Sequence, residues 1–114
     1  MKQPVRPDDF DAVIHERVRL AIVAALAAQP RMSFTELKNA LGVTDGNLSA
    51  HARALEEAGY IAVSKTFRER RPHTALSLTR SGREAFQRYL LALRRIIEQG
   101  ADPDPSPDSA AAPR

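Results

Sequence analysis

The apolar positions of the chain form helical stripes interrupted by two alternating runs. Apolar side chains recur at three- and four-residue spacing over residues 12–28, which predicts a first helix. This helix should end before Pro30, because a residue that precedes proline avoids helical geometry. A second helix is predicted to begin after Ser33, the N-cap of a capping box with Glu36, and to stop at Gly42.

A third helix follows after a very short turn. Thr44 is its predicted N-cap, and the helix should span about residues 45–58 and close at Gly59. Only Val43 separates Thr44 from the glycine that ends the second helix. Two helices joined by so short a turn with a glycine are typical of a helix-turn-helix.

The hydrophobic period changes from helical to two after the third helix. Residues 60–65 and 74–79 each alternate and predict two half-buried strands, and the polar, basic residues 66–73 are predicted to form a long loop between them. A last helix is predicted over about residues 79–100. The order helix, helix, helix, strand, strand, helix predicts a mainly α protein with a small β-hairpin (α+β): a winged helix-turn-helix with an added C-terminal helix.

The two ends of the chain differ in composition from the part between them. Residues 1–8 contain two prolines and little apolar surface, and residues 101–114 contain no large apolar side chain. Segments of this kind bury too little apolar surface to offset the entropy of ordering them. We therefore predict a flexible N-terminus over residues 1–8, one domain over residues 9–100 and a disordered Pro/Asp/Ala-rich tail over residues 101–114.

The charge of the chain favours a polyanionic partner. The sequence has 17 Lys and Arg against 14 Asp and Glu, and three of the acidic residues lie in the predicted tail. Residues 1–99 therefore hold 16 basic and 11 acidic side chains, a net charge of +5. A basic domain suits nucleic acid, although many proteins with such a charge bind none.

Signals of catalysis, metal binding and membrane insertion are missing from the sequence. There is no nucleophile–base constellation, glycine-rich phosphate loop or HExxH motif, so we expect a protein that is not an enzyme. Cysteine is absent, and the three scattered histidines do not share metal-ligand spacing, so we expect neither a metal nor another cofactor. Without a long apolar run or a signal-peptide segment, we expect a cytoplasmic protein with no membrane partner.

Three stretches of the chain together resemble a known family. They are VIHERVRLAIVAAL in the first helix, FTELKNALGVTDGNLSAHARALEEAGYI across the helix-turn-helix, and FRERRPHTALSLTRSGREAF from hairpin to last helix. In combination they resemble the winged-helix transcription regulators of the ArsR/MarR-like type, over roughly residues 11–95. The resemblance implies a cytoplasmic, dimeric protein that binds promoter DNA.

The third helix has one face of small or hydrogen-bonding residues, opposite its apolar face. A helix in the major groove reads base edges with residues near its N-terminal end. Asn47 suits adenine, and Arg53 suits guanine or a phosphate. The candidate DNA-binding residues of this recognition helix are Thr44, Asp45, Gly46, Asn47, Ser49, Ala50 and Arg53.

The hairpin and the second helix supply further candidate DNA contacts. Four cations lie within seven residues of the hairpin and are opposed only by Glu69, so they suit phosphates or a narrow minor groove. Thr35 and Lys38 of the second helix are predicted to contact the DNA backbone. The candidate residues of the wing are Lys65, Arg68, Arg70, Arg71 and His73.

The first and last helices carry more apolar surface than one small core needs. A two-fold interface between copies would cover it and would set two recognition helices about 34 Å apart, which demands an inverted-repeat DNA site. A repressor is expected, since no second domain is present to recruit another protein, and a crevice of the dimer offers room for an unidentified small-molecule effector. The candidate interface residues are Val13, Ile14, Val18, Phe86, Leu90, Leu93 and Ile97.

Two other functions stay open at the level of sequence. A winged helix that has lost DNA binding would act as a protein-interaction module, which the basic wing argues against. A binder of nucleic acid without operator recognition would use the same basic surface and would show no sequence preference. The salt dependence of DNA binding separates the first alternative, and competition between DNA sequences separates the second.

Overall fold

The fold is described by a computed structural model over residues 3–100, so the predicted tail over residues 101–114 lies outside the described part. The three strands form one antiparallel sheet in the order β1-β3-β2. This α+β architecture confirms the predicted fold class. The elements are a 3-10 turn at Pro7–Asp9, α1 (Arg17–Ala28), β1 (Arg31–Ser33), α2 (Phe34–Leu41), α3 (Asp45–Glu57), β2 (Ile61–Arg68), β3 (Arg71–Leu78) and α4 (Arg80–Gly100).

Helix α1 begins later than the apolar spacing predicted. The stripe over residues 12–28 extends past the true start, because Glu16 is extended and caps the helix. Its carboxylate accepts hydrogen bonds from two backbone amides of the first turn, at 2.8 and 2.9 Å. The residues before it form a separate turn in which the Asp11 carboxylate accepts from the amides of Val13 and Ile14. Local capping by these two carboxylates therefore overrides the helical period.

The helix-turn-helix forms with the caps that the sequence predicted. In the capping box the Glu36 amide donates to Ser33 Oγ (3.0 Å), and the Ser33 amide donates to Glu36 Oε1 (2.8 Å). Gly42 ends α2 in the left-handed region, with φ of 67°, where a side chain would be strained. Thr44 Oγ1 then accepts from the Asn47 amide (3.1 Å) and caps α3.

The loop predicted over residues 66–73 is wrong. The strands continue through it to a two-residue turn at Glu69 and Arg70, whose φ values of 53° and 68° are those of a type I′ turn. Such a turn is usually marked by Asn-Gly, which is absent here. Alternation also fades beyond Val63, because the hairpin there has left the core and both of its faces meet solvent.

Strand β1 is an element that the sequence did not predict. It has only three residues, too few for a visible period, and it pairs with β3 so that Met32 lies opposite Leu76. Met32 is thereby buried on the inner side of the sheet, and Ser33 both ends the strand and caps α2. The sheet and the helix-turn-helix are thus joined without an intervening loop.

The core lies between the helices and the inner face of the sheet. Helix α4 joins it through its first turns, where Gly82 lies so close to the backbone of Tyr60 that an added methyl group would overlap its carbonyl. His15 Nδ1 and Tyr89 Oη lie 2.8 Å apart and hold the start of the chain against α4. The largest fully buried side chains are Ile14, Ile22, Val23, Leu26, Leu37, Leu48, Leu55 and Leu76.

The described part of the N-terminal segment contacts the far end of α4. Arg95 Nη1 lies 3.2 Å from Asp9 Oδ2, and Gln99 Nε2 donates to the carbonyl of Gln3 at 2.7 Å. These contacts link the two ends of the described chain. The flexibility predicted for residues 1–8 stays a prediction.

Candidate nucleic-acid interface

Helix α3 separates its predicted DNA-facing residues from its core residues. Leu48, Ala52 and Leu55 are buried against the rest of the domain. The opposite face lies in solvent and is free of large apolar side chains, so the backbone of its first turns is accessible to a ligand. The exposed residues of this face are Thr44, Asp45, Gly46, Asn47, Ser49, Ala50 and Arg53.

An ion pair joins the two helices of the helix-turn-helix. Lys38 Nζ of α2 lies 3.0 Å from Asp45 Oδ1 at the start of α3. The Lys38 side chain is half-buried, whereas Asp45 and the neighbouring Thr35 are exposed. A phosphate that approaches this corner therefore meets a lysine whose charge is shared with a carboxylate.

His51 ties the middle of α3 to the start of α1. Its Nδ1 lies 3.2 Å from Arg19 Nη1 and 3.5 Å from the Glu16 carboxylate. The hydrogen bond from the backbone of Arg19 is the largest cause that holds the pKa of Glu16 below its usual value, and the charge of His51 adds to it. The sequence alone could not reveal this polar contact, because its partners lie more than 30 residues before His51.

The wing presents different residues on its two faces. On the face that continues the inner side of the sheet, Lys65 pairs with Thr74 and Phe67 pairs with Pro72. On the other face, Arg68 lies directly opposite Arg71, with His73 further along the strand. The predicted cations therefore do not share one surface. A loop over residues 66–73 assigns no faces, so this division could not be predicted without the strand register. Arg70 lies at the turn itself, between the two faces.

A polar cleft of about 230 Å³ lies between the wing and α2. It is lined by Arg68 and His73 from the wing, Ser33 and Glu36 from the helix start, and Arg31 from β1. The capping-box hydrogen bonds with Ser33 are the main cause that lowers the pKa of Glu36, and the charges of His73 and Arg68 add to it. Arg31 was missed by sequence reasoning because β1 was not predicted.

The candidate dimer residues divide into buried and exposed ones. Ile14 and Phe86 are only 0% and 9% exposed, so they already serve the core of one chain. Leu90 and Ile97 are 44% and 62% exposed and are available to a second copy. Val13, Val18 and Leu93 are half-buried. Two further residues of α4 that sequence reasoning left out of the interface, Leu91 and Ile96, are also exposed.

Residues 3–100 contain neither a metal-binding cluster nor a membrane-spanning helix. No three His, Asp or Glu side chains of this part are grouped so that they could hold a metal ion. Within the same residues, no helix combines the length and apolar character needed to cross a membrane.

The geometry defines the class of the protein. A helix-turn-helix backed by a small antiparallel sheet, with a basic hairpin that projects beyond the core, is a winged helix. The chain belongs to the family of the winged helix DNA-binding domain, whose sequence profile matches residues 18–97.

Similar proteins include regulators of transcription. An uncharacterised protein of Methanocaldococcus jannaschii is 33% identical over 84 residues, which are 74% of this chain and 91% of that protein. The structure of a transcriptional regulator homologue from Pyrococcus horikoshii aligns with a TM-score of 0.73 and 32% identity, over 79% of this chain and 88% of that one. MarR has the same fold, with a TM-score of 0.65 and 23% identity over 77% of this chain and 66% of its own. The chain thus belongs to the winged helix DNA-binding family, and its fold is the one that MarR also has.

Proposed function

We propose that this protein is a sequence-specific transcription regulator that binds an inverted-repeat operator in double-stranded DNA as a homodimer, and that it represses the gene it binds. The observation that carries the proposal is the exposed face of α3, which has small and hydrogen-bonding residues and is followed in the chain by a basic wing. Each element of this interface has a matching feature on B-DNA.

The proposed role of α3 is to enter the major groove. Gly46 and Ala50 have small side chains, so the helix axis can approach the base edges closely. Asn47 has the donor and acceptor that fit adenine, and Arg53, one to two turns further on, fits guanine or a phosphate. Thr44 and Asp45 flank the start of the helix, where backbone amides point outward and attract phosphate.

The proposed role of the wing is to hold the flanking DNA. Arg70 lies at the very turn of the hairpin, which makes it the cation with the greatest reach toward the phosphates that border a minor groove. Lys65, Arg68 and Arg71 lie along the strands and suit the phosphates on either side of that groove, with His73 nearer the body. Thr35 and Lys38 of α2 would contact the backbone next to α3.

The exposed apolar residues of α4 support the proposed homodimer. Leu90 and Ile97 share one face of the second half of the helix and, with the half-buried Leu93 between them, form a strip of large side chains that Leu91 and Ile96 flank on either side. Burial of apolar surface stabilises by about 25 cal/mol per Å², which favours covering the strip with a second copy. The two-fold axis of such a dimer would space the recognition helices by about one DNA turn, roughly 34 Å. A dimer on its operator would exclude polymerase from the same DNA, and a small-molecule effector would act by changing that spacing.

The testing experiment is selection of DNA fragments from the source genome at moderate salt, followed by sequencing and by titration of the selected site. We expect an inverted repeat, with N47A losing about 1–3 kcal/mol of discrimination at one base pair of each half-site. R70Q should lower the slope of log K against log salt by about 1 per protomer and weaken all sequences alike. The matched control is R83Q, which removes the same charge from an exposed position in the first turn of α4.

Two results would contradict the proposal in different ways. Tight binding without enrichment of any sequence would indicate a non-specific binder of nucleic acid. Absence of binding even at low salt would instead indicate a protein-interaction module. Higher transcription of the bound gene after deletion of the protein supports repression, and lower transcription would contradict it.

A further inference from the structure

Phe67 is a large aromatic side chain that the fold does not use. It is 74% exposed, more than any other large hydrophobic side chain among the described residues. It lies on β2 directly opposite Pro72 of β3, one residue before the strand end at Arg68. The two side chains form an apolar ridge on one face of the wing. Nothing else in residues 3–100 covers this ridge.

The charges around the ridge select the kind of partner that can cover it. Lys65 lies on the same face, two residues before Phe67, and Arg70 lies at the turn just beyond it. Residues 65–73 hold four cations and one carboxylate, so a second copy of the same wing would be repelled. A polyanion with an apolar surface of its own satisfies both the cations and the ring.

The position of the ring along the hairpin agrees with the dimensions of DNA. Ile61 and Val63 are on the same face and belong to or touch the core, and Phe67 lies six positions after Ile61 on the same strand. At about 3.3 Å per residue the ring lies roughly 20 Å beyond the buried end of the strand. Half a turn of B-DNA, the distance from a major groove to the next minor groove along one side, is about 17 Å.

We propose that Phe67 is a minor-groove contact residue, and this inference rests on the proposed DNA-binding function. With α3 in the major groove, the ring, supported by Pro72, enters the adjacent minor groove and packs on the deoxyribose walls, while Lys65 and Arg70 pair with the phosphates. Apolar side chains in the minor groove favour DNA sequences that deform readily. Phe67 therefore adds shape selectivity at base pairs that α3 does not reach.

The test compares F67A with K65Q in the full chain on the selected operator. Partial burial of a phenylalanine ring predicts roughly tenfold weaker binding for F67A. Its salt slope should equal that of the unmodified protein, because no charge is lost. K65Q should keep the ring contact and lower the slope by about 1 per protomer. Because Phe67 lies in solvent, the thermal unfolding of F67A should match that of the unmodified protein.

A second measurement locates the contact on the DNA. Hydroxyl radicals attack deoxyribose from the minor groove, whereas dimethyl sulfate methylates guanine N7 in the major groove. F67A should lose the protection of sugars in the flanking minor groove and retain the protection of guanines by α3. F67L, which keeps an apolar side chain, should retain part of the sugar protection.

Three outcomes would overturn the inference, and they are distinguishable. If F67A binds and protects the sugars as the unmodified protein does, Phe67 has no role in the groove although DNA binding stands. If F67A changes the sedimentation of the protein and leaves both footprints intact, the ring is a contact between proteins. If the unmodified protein binds no DNA, the proposed function fails, and the minor-groove role fails with it.

Discussion

The two halves of α4 bury their apolar side chains to very different extents, although the stripe of apolar residues runs along the whole helix. In the first half, Ala85, Phe86 and Tyr89 lie in the core. In the second half, Leu90 and Ile97 lie largely in solvent. The first half packs into the core, whereas most of the large apolar side chains of the second half lie in solvent in the single chain.

The difference shows that the amphipathic character of a helix and the burial of its apolar face are separate properties. The helical period states which side chains share a face, but only the three-dimensional arrangement states whether that face meets the same chain, another chain or water. In α4 one face serves the fold at one end and, under the proposed function, assembly at the other. Substitutions in the two halves should therefore change different measured quantities.

The largest effect is expected from Phe86 in the first half. F86A should lower the free energy of unfolding by about 3–4 kcal/mol, because it removes a buried ring and leaves a cavity. The measurement is equilibrium denaturation in urea. At protein concentrations low enough to dissociate the proposed dimer, the control L91A removes a large side chain that is 58% exposed, and it should lower the free energy of unfolding by less than about 1 kcal/mol. Equal losses of unfolding free energy in F86A and L91A would contradict the division of α4 into a buried first half and an exposed second half.

An intermediate effect is expected from the exposed strip of the second half. L90Q combined with I97Q should convert the dimer into monomers at micromolar concentration in analytical ultracentrifugation, because polar side chains would be buried without partners at the interface. The folded secondary structure should be retained, since neither residue is part of the core. R88Q, an exposed change in the first half, should leave the sedimentation unchanged. If the unmodified protein is a monomer, the exposed strip of α4 is not a dimer interface.

The smallest effect is expected from the polar contacts that hold the N-terminal segment against the second half of α4. R95Q removes the ion pair with Asp9, which is partly exposed and therefore contributes at most about 1 kcal/mol. We expect faster hydrogen exchange at the amides of the Pro7–Asp9 turn and no change in the core. R94Q, an exposed neighbour outside this contact, is the control. Unchanged exchange in R95Q would show that the segment is held by other contacts.

The sequence predicted those elements whose signals are local. The capping box of Ser33 and Glu36, the glycine after α2 and the period of α4 all lie within one or two turns, and all three appear in the structure. Strand β1 and the full length of the wing escaped prediction, because they depend on pairing with residues more than 40 positions away or on a turn without its usual glycine.

The candidate interface was predictable to a similar degree. Helical spacing sufficed to separate the exposed face of α3 from its buried face. The division of the wing cations between two faces required the strand register, and the contact of His51 with Arg19 required the packing of α1 on α3. The pairing of Phe67 with Pro72 on one face of the wing likewise required the strand register.

Ser33 has a mechanical consequence. It belongs to β1, which is paired with one arm of the wing, and it caps α2, which is tied to α3 by the ion pair of Lys38 and Asp45. The wing and the recognition helix are therefore connected twice, through Ser33 and through the three-residue link between α3 and β2. A pair of elements that moves as one rigid body loses little conformational entropy when it meets a partner of fixed shape. Because Ser33 joins α2 to the sheet, a displacement of α2 should also move the tip of the hairpin.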